Sequence, residues 1–174
     1  EFGKVNAVHV ALANQKLYVN RKEGFVGTGM KKEEYLFDVS EYDDLIVFKA
    51  DGSFKVVKVS DKDFVGKDII LVEKFNKDDE RHIYNVIHQD GKDGYAYIKR
   101  FNVGGVTRDK DYYMGKNKPG SKILYMSSNM NGEAEVVEVI WKPRPRIKLN
   151  FEVDFSEVEV KGRGAIGQSK IGRA

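Results

Sequence analysis

The segment from Lys161 to Lys170 has a composition that suits phosphate binding. It reads KGRGAIGQSK, so glycines alternate with Lys161 and Arg163, and a further lysine follows. Glycine lets the backbone approach a flat charged surface, and its exposed amides can join lysine and arginine side chains on phosphate oxygens. The segment therefore predicts a polyanion-binding loop, with a solvated tail as the alternative.

Gly162 to Gly167 also has the spacing G-x-G-x-x-G of dinucleotide-binding folds. That fold needs a βαβ unit and an acid about 20 residues further on, and the sequence shows neither. An ATP-type phosphate loop requires lysine at the position that Gln168 occupies. Nucleotide binding is therefore not predicted here.

The other polar residues form no pattern typical of catalysis. His9, His82 and His88 are the only histidines, and no further metal ligand is spaced as in a known site. Paired carboxylates such as Asp43-Asp44 lie in turn-like segments, where they form turns and solubilise the surface. We therefore expect no catalytic residue, no metal site and no small-molecule substrate in this chain.

Charge is distributed unevenly, although the formal net charge is only +3. The stretch Glu33 to Asp44 contains six acids and no base, whereas Ile98 to Lys122 contains seven bases against Asp109 and Asp111. Such polarity predicts a basic surface on one side, as in proteins that bind polyanions. Ordinary surface lysines are the alternative explanation.

Composition limits the class of protein. The 174 residues suffice for one domain with a sizeable core, and 41% hydrophobic with 33% charged residues is typical of a globular chain. Without cysteine, disulfides and thiolate metal sites are excluded and secretion is not favoured. No apolar run reaches the roughly 20 residues of a membrane span, so no membrane partner is expected. The sequence opens at Glu1 rather than methionine, and we expect it to be part of something longer.

The elements that must position the cations are hairpins. Leu45 to Val59 (LIVFKADGSFKVVKV) places an Asp-Gly pair between two apolar runs, which is a strong hairpin signal. Gly52 lets the chain reverse there, because it adopts positive φ without a Cβ clash. The same pattern predicts hairpins around Gly24, Gly94 and Gly132.

Repetition of these elements predicts the architecture. The turn glycines recur at intervals of roughly 30 to 40 residues, and Gly66 to Leu71 (GKDIIL) is similar to Gly120 to Tyr125 (GSKILY). Such repeats predict an all-β fold of propeller-like radial blades, about three to four antiparallel four-stranded sheets with little helix. We expect one domain over residues 1–174, with approximate blades 4–48, 45–90, 81–140 and 134–174.

Two further segments complete this outline. Lys4 to Leu12 predicts the first strand of the chain. Lys142 to Arg146 (KPRPR) predicts an irregular crossing between blades, because proline donates no backbone hydrogen bond.

Several stretches resemble a known family: KLYVNRKEGFVGTGMKKEE, KVVKVSDKDFVGKDI, YIKRFNVGGVTRDKDY and NGEAEVVEV. They resemble the C-terminal domain of the A subunit of bacterial topoisomerase IV, and the related gyrase domain is built in the same way. The resemblance covers nearly the whole chain. It implies a β-pinwheel whose basic outer rim binds and bends DNA. Since six blades are usual in the gyrase domain, this chain corresponds to roughly half a pinwheel.

The resemblance also implies the setting of the domain. The cleaving tyrosine, the metal-binding acids and the ATP site belong to other parts of the enzyme, so ATP and Mg²⁺ are expected in the holoenzyme and no cofactor in this fragment. The expected partners are double-stranded DNA, the rest of the A subunit, and the B subunit that hydrolyses ATP, in the bacterial cytoplasm at the nucleoid.

The gyrase domain carries a loop, Q-R-R-G-G-K-G, which is similar to Lys161 through Gly167. The match comprises Lys161, Gly162, Arg163, Gly164 and Gly167, whereas Ala165-Ile166 replaces a Gly-Lys pair. The departure favours topoisomerase IV over gyrase, and with it guidance of DNA for decatenation and relaxation.

We therefore predict a non-catalytic module that binds duplex DNA through phosphates, independently of sequence. A gyrase wrapping domain and a protein-interaction propeller with a charged rim are the alternatives, and an unrelated hydrolase on a β scaffold is a distant third. Lys55 and Lys58 are secondary candidates for DNA contact, because a strand lysine can instead cap a blade face. The principal candidates are Lys99, Arg100, Arg108, Lys110, Lys161, Arg163 and Lys170.

Overall fold

A computed structural model describes residues 13–140 and 150–173, and only the backbone over 168–173. These residues form fifteen strands and one short 3-10 turn, Phe155–Glu157, without an α-helix, which confirms the all-β prediction. The strands are β1 (Gln15–Asn20), β2 (Phe25–Gly27), β3 (Glu34–Val39), β4 (Asp44–Lys49), β5 (Ser53–Lys58), β6 (Asp63–Phe64), β7 (Ile69–Phe75), β8 (Ile83–Gln89), β9 (Tyr95–Asn102), β10 (Tyr112–Tyr113), β11 (Lys122–Asn129), β12 (Val136–Ile140), β13 (Asn150–Asp154), β14 (Val160–Gly162) and β15 (Gln168–Arg173).

The chain forms two compact units. Of the described residues, the first unit contains 13–77 and 105–113, and the second contains 78–104, 114–140 and 150–173. No helix in the described part of the chain is long and apolar enough to cross a membrane.

The first unit consists of two four-stranded antiparallel sheets. Their strand orders are β3-β1-β2-β6 and β10-β5-β4-β7. In the first sheet Leu17, Val19 and Val26 are buried, and in the second Leu45 and Val47 join the same apolar core. Two sheets that each bury one apolar face against a shared core account for the strand pattern of this unit.

The hairpin predicted at Leu45 to Val59 is present as β4 and β5. Phe48 pairs with Phe54 next to the turn, and Asp44 pairs with Lys58 at the far end. The Asp51 carboxylate accepts the backbone N–H of Ser53 at 2.8 Å, and Gly52 has φ +85°. The Asp-Gly pair therefore closes the turn by side-chain hydrogen bonding and positive φ.

The second unit contains a larger sheet and a separate ribbon. The sheet has the order β11-β8-β9-β14, and β15 also pairs with β9. The ribbon consists of β12 and β13, whose Val137 and Val139 pack with Phe151 around a core that includes Ile98 and Phe155. All seven residues of β8 are buried, so this strand lies in the middle of its unit.

The predicted repeat is visible in the strand pairing. When Gly66 to Leu71 is aligned with Gly120 to Tyr125, Ile70 corresponds to Leu124. Each is the extra residue of a β-bulge, where the pairing of β7 with β4 and of β11 with β8 shifts by one residue. Strand β3 also contains one extra residue where it pairs with β1, between Tyr35 and Asp38. A bulge strengthens local twist, so the third strand of each repeat bends in the same way.

One predicted hairpin is wrong. The turn at Gly132 does not join two paired strands, because β11 pairs with β8 and β12 pairs with β13. Gly132 has φ +71° and reverses the chain as expected, but the pairing depends on apolar partners elsewhere in the sequence. Lys4 to Leu12, His9 and Lys142 to Arg146 lie outside the described residues.

The first turn glycine is confined by the loop that follows β6. Gly24 has φ +85°, and a Cβ on it would overlap the backbone carbonyl of Gly66. The neighbouring Val65 donates its N–H to the Gly24 carbonyl at 2.9 Å. The turn and the loop therefore approach each other too closely for any residue but glycine.

We predict that Gly24→Ala lowers the free energy of unfolding by about 2 kcal/mol or more, because positive φ and backbone overlap act together. Gly105→Ala is the matched control, since a Cβ there has nothing within 4 Å and φ is not positive. Urea unfolding of both variants measures the difference, and equal midpoints would contradict the close-approach explanation.

Candidate nucleic-acid interface

The predicted cations lie in both units. Lys55, Lys58, Arg108 and Lys110 belong to the first unit, and the remaining five belong to the second. Lys170 is in β15, where only the backbone is described. The environments of the other eight differ enough to separate surface charges from structural ones.

In the first unit, Arg108 forms an ion pair with Asp44. Arg108 donates hydrogen bonds to the Asp44 carboxylate from Nε to Oδ1 and from Nη2 to Oδ2, both at 2.9 Å. Asp44 is also the strand partner of Lys58, which is exposed. The hydrogen bond from Arg108 to Asp44 holds the pKa of Arg108 above its ordinary value. Lys58 therefore extends the positive charge at this end of the hairpin, whereas Arg108 must share its charge with Asp44.

The rest of the 105–113 segment is fixed on the second sheet. Tyr112 stacks on Phe54 with ring centroids 5.6 Å apart, and its hydroxyl accepts the N–H of Thr107 at 2.9 Å. Lys110 is exposed, with its ammonium 5.5 Å from the Tyr112 ring centroid. The segment thus holds Lys110 at the surface on an ordered aromatic support.

Lys55 differs from Lys110 because its charge is paired. The ammonium groups of Lys49 and Lys55 each lie 3.4 Å from the same oxygen of Asp111. The Lys55 side chain is only 17% exposed. This lysine joins β5 to the 105–113 segment and presents little free charge to a ligand.

In the second unit, β9 is the support for the glycine-rich segment. Strand β14 runs parallel to β9, with Lys161 opposite Phe101, and β15 runs antiparallel to it. The residues between β14 and β15 form a turn in which Ala165 donates its N–H to the Gly162 carbonyl at 3.1 Å. The segment predicted as a loop is therefore held to the sheet at both ends, and we call residues 162–167 the glycine loop.

The glycine loop leaves its backbone open to solvent. A Cβ on Gly162 or Gly164 would have nothing within 4 Å, whereas one on Gly167 would lie 2.6 Å from the Ile98 carbonyl oxygen. Lys161 is exposed and its ammonium lies 3.5 Å from Glu159, and Arg163 is half-buried. Open backbone with adjacent cations is the arrangement that an anion-binding loop needs.

The prediction that Lys99 lies on a DNA-binding surface disagrees with its position in the structure. Its side chain is buried, and its ammonium donates to the carbonyls of Met114 at 3.3 Å and of Arg163 at 2.5 Å. The ammonium also lies 4.6 Å from the Phe101 ring centroid. Burial lowers the pKa of Lys99 to about 8. Lys99 therefore anchors the glycine loop from beneath and is not accessible to a phosphate.

Arg100, which is also predicted to contact DNA, makes a contact inside the second unit. It is half-buried, and its guanidinium donates to the Gly132 carbonyl. Its Nε is buried without a hydrogen-bond partner in the described residues. The arginine holds the turn after β11, which explains why Gly132 lies close to this sheet.

Two further buried groups hold loops in the second unit. The His88 ring is 2.9 Å from the Ile166 carbonyl oxygen through Nε2, and burial lowers its pKa. Asp90 is 4% exposed and accepts the backbone N–H of Lys116 at 3.0 Å. The sequence predicts neither residue as part of a site. It offers no signal for them, because their partners are carbonyl and amide groups distant in the chain.

Two exposed lysines outside the predicted set lie on either side of β6. Lys62 lies 4.4 Å from the Phe25 ring centroid, and Lys67 follows Gly66. The sequence signal for Lys67 is the similarity of DFVGKD at 63–68 to YYMGKN at 112–117, where Asp68 and Asn117 share positive φ of 59° and 53°. In the part of the chain that the structure describes, no cluster of three potential metal ligands is present.

Comparison with known proteins identifies relatives of this arrangement. The family model described as topoisomerase C-terminal domain, Bacteroidota, matches residues 16–170. The chain is also 33% identical, over 115 residues, to the A subunit of DNA topoisomerase 4 from Borreliella burgdorferi. That match covers 64% of this chain and 18% of the relative, so the chain is similar to a small part of that protein.

The burial of Lys99 predicts a pH dependence of stability. Its pKa is about 8 in the folded chain and 10.5 in the ordinary case, so the unfolded chain binds the proton more strongly between these values. The free energy of unfolding should therefore rise with pH over this range, by up to about 3 kcal/mol relative to Lys99→Met.

Urea unfolding at about pH 8 and about pH 10 measures this gain. Lys122→Met, which removes an exposed lysine of the same unit, is the control and should follow the wild type. Parallel pH profiles for wild type and Lys99→Met would show that the lysine is not buried as described.

Proposed function

The chain belongs to the family of bacterial topoisomerase C-terminal domains, and from this premise we propose that it binds duplex DNA of any sequence and bends it. The observation that carries the proposal is the glycine loop. Lys99 and His88 hold its carbonyls from beneath, the space around Gly162 and Gly164 is open, and Lys161 stands exposed beside it. Backbone amides with adjacent cations are suited to phosphate oxygens and carry no base readout.

Exposed cations on the first unit support the same function. Lys58 is exposed at the end of β5, and Lys110 is exposed beside the Tyr112 ring. Charges of this kind attract the sugar–phosphate backbone, so affinity should depend on salt and little on sequence. Arg108 adds to this field only as part of its pair with Asp44.

We propose that the domain carries no chemistry of its own and guides DNA for strand passage, decatenation and relaxation by the rest of a topoisomerase IV. Binding of ATP and Mg²⁺, and DNA cleavage, fall to other parts of the same polypeptide and to the partner that hydrolyses ATP, in the bacterial cytoplasm. The similarity to a DNA topoisomerase 4 protein favours this setting over gyrase.

We predict that Lys161→Ala/Arg163→Ala weakens duplex binding for all sequences alike. The double variant should also reduce the slope of log affinity against log salt by about one counterion for each phosphate that is no longer neutralised. Binding to two unrelated duplexes across a salt series measures both effects. Thermal melting should change little, since surface substitutions usually stay within about 0.5 kcal/mol.

The matched control is Lys31→Ala/Lys32→Ala, which removes the same charge from two exposed lysines beside the acidic stretch. This control should leave the salt slope unchanged. If both double variants weaken binding equally, only net charge matters and the glycine loop is not the DNA contact.

A further prediction concerns catalysis. The isolated chain should neither nick DNA nor hydrolyse ATP, because the proposal gives both reactions to other parts of the enzyme. Nicking or ATP hydrolysis that copurifies with the chain through successive columns would contradict the proposed division of labour.

A further inference from the structure

Two exposed aromatic side chains occupy equivalent places in the two sheets of the first unit. Phe64 in β6 pairs with Phe25, the residue after turn glycine Gly24. Tyr113 in β10 pairs with Ser53, the residue after the second turn glycine. Phe64 is 56% exposed and Tyr113 is 39% exposed. The same step of the repeat thus presents a large aromatic ring to solvent twice.

The apolar residues directly beside Phe64 and Tyr113 in the sequence pack against the unit, although the two rings do not. Next to Phe64, Val65 is 1% exposed, and next to Tyr113, Tyr112 stacks on Phe54. Val65, which follows β6, is therefore buried and Tyr112 in β10 packs on its sheet, whereas Phe64 and Tyr113 remain exposed. Edge strands are usually protected by polar or charged residues, so exposed rings at both edges indicate a contact surface.

The charges around the rings are mixed. Lys62 and Lys67 flank Phe64 and are exposed, but Asp63 and Asp68 lie beside them in sequence. Phe64 rests against Phe25 at 5.3 Å, and the Lys62 ammonium covers the same Phe25 ring. Because the carboxylates offset the lysines, this surface adds little net attraction for DNA. Its contribution must come from the apolar rings.

We propose that Phe64 and Tyr113 act as wedges that insert between base steps in the minor groove of the bound duplex and so bend it. The proposal rests on the proposed function. Proteins that bend DNA from the minor groove insert apolar side chains, which unstack a step and kink the helix. Two rings at equivalent places in successive sheets would kink the same duplex twice, while Lys58 and Lys110, which are exposed on the same unit, hold the phosphates.

The decisive variant is Phe64→Lys/Tyr113→Lys. Lysine is well tolerated on edge strands, and it replaces each ring by a cation on a thin aliphatic stem. The wedge account predicts that this variant binds random duplex at least as tightly as wild type, with a salt slope raised by up to about two counterions. Energy transfer between dyes at the two duplex ends should nevertheless fall to near the value of free DNA.

Two further variants complete the test. Phe64→Leu/Tyr113→Leu keeps apolar bulk and should retain most of the bend. Tyr35→Ala/Tyr42→Ala removes two comparably exposed rings from the acidic stretch and should leave bend and affinity unchanged. If the double lysine variant melts lower than wild type, the single variants replace it, and each should lose about half of the bend.

The outcomes separate this inference from the proposed function. Bending that survives in the lysine variant, with salt-dependent binding intact, overturns the wedges alone. Failure of the wild-type chain to bind duplex DNA overturns both. Loss of bend in the Tyr35→Ala/Tyr42→Ala variant would also overturn the assignment, because the effect would not be specific to these rings.

Discussion

The fold depends on close approaches of backbone to backbone at the points where the chain leaves one hydrogen-bonded strand for the next. At Gly24 the turn of the first hairpin meets the carbonyl of Gly66, and at Gly167 the loop before β15 lies against the carbonyl of Ile98. A side chain at either of these places would separate the loop from its sheet. Gly162 and Gly164 differ from these glycines, because a Cβ on either would meet nothing within 4 Å. The glycine loop is therefore fixed to its sheet at Gly167 and open at the two glycines where we propose that phosphate binds.

The basic side chains of this chain fall into two groups, those that hold the fold together and those that remain at the surface. Some cations are structural: Lys99 and Arg100 donate to carbonyls within the second unit, and Lys55 bridges to Asp111 in the first. Others, such as Lys110 and Lys161, remain at the surface. Only the exposed cations can bind a polyanion without breaking a contact that stabilises the fold, because exposed charges contribute little to stability. A count of basic residues therefore overstates the binding surface.

The division explains what the sequence could and could not predict. Gly52 with Asp51 identified a real hairpin, because its turn is closed by local hydrogen bonds. Gly132 carries the same signal, but its flanking strands pair with β8 and β13, whose positions no local rule determines. Lys99 is buried by a segment 64 residues away in the chain, so no periodicity within β9 marks it as internal. The aromatic rings at the sheet edges likewise became recognisable only once strand register was known.

Lysine acetylation footprinting with and without duplex DNA, read out by mass spectrometry, tests the central claim most directly. DNA should slow acetylation of Lys58 and Lys110 in the first unit and of Lys161 in the second, and should leave Lys31 and Lys32 unchanged. Lys99 should react slowly in both cases because it is buried. Equal protection of all exposed lysines, or protection confined to Lys31 and Lys32, would contradict the account.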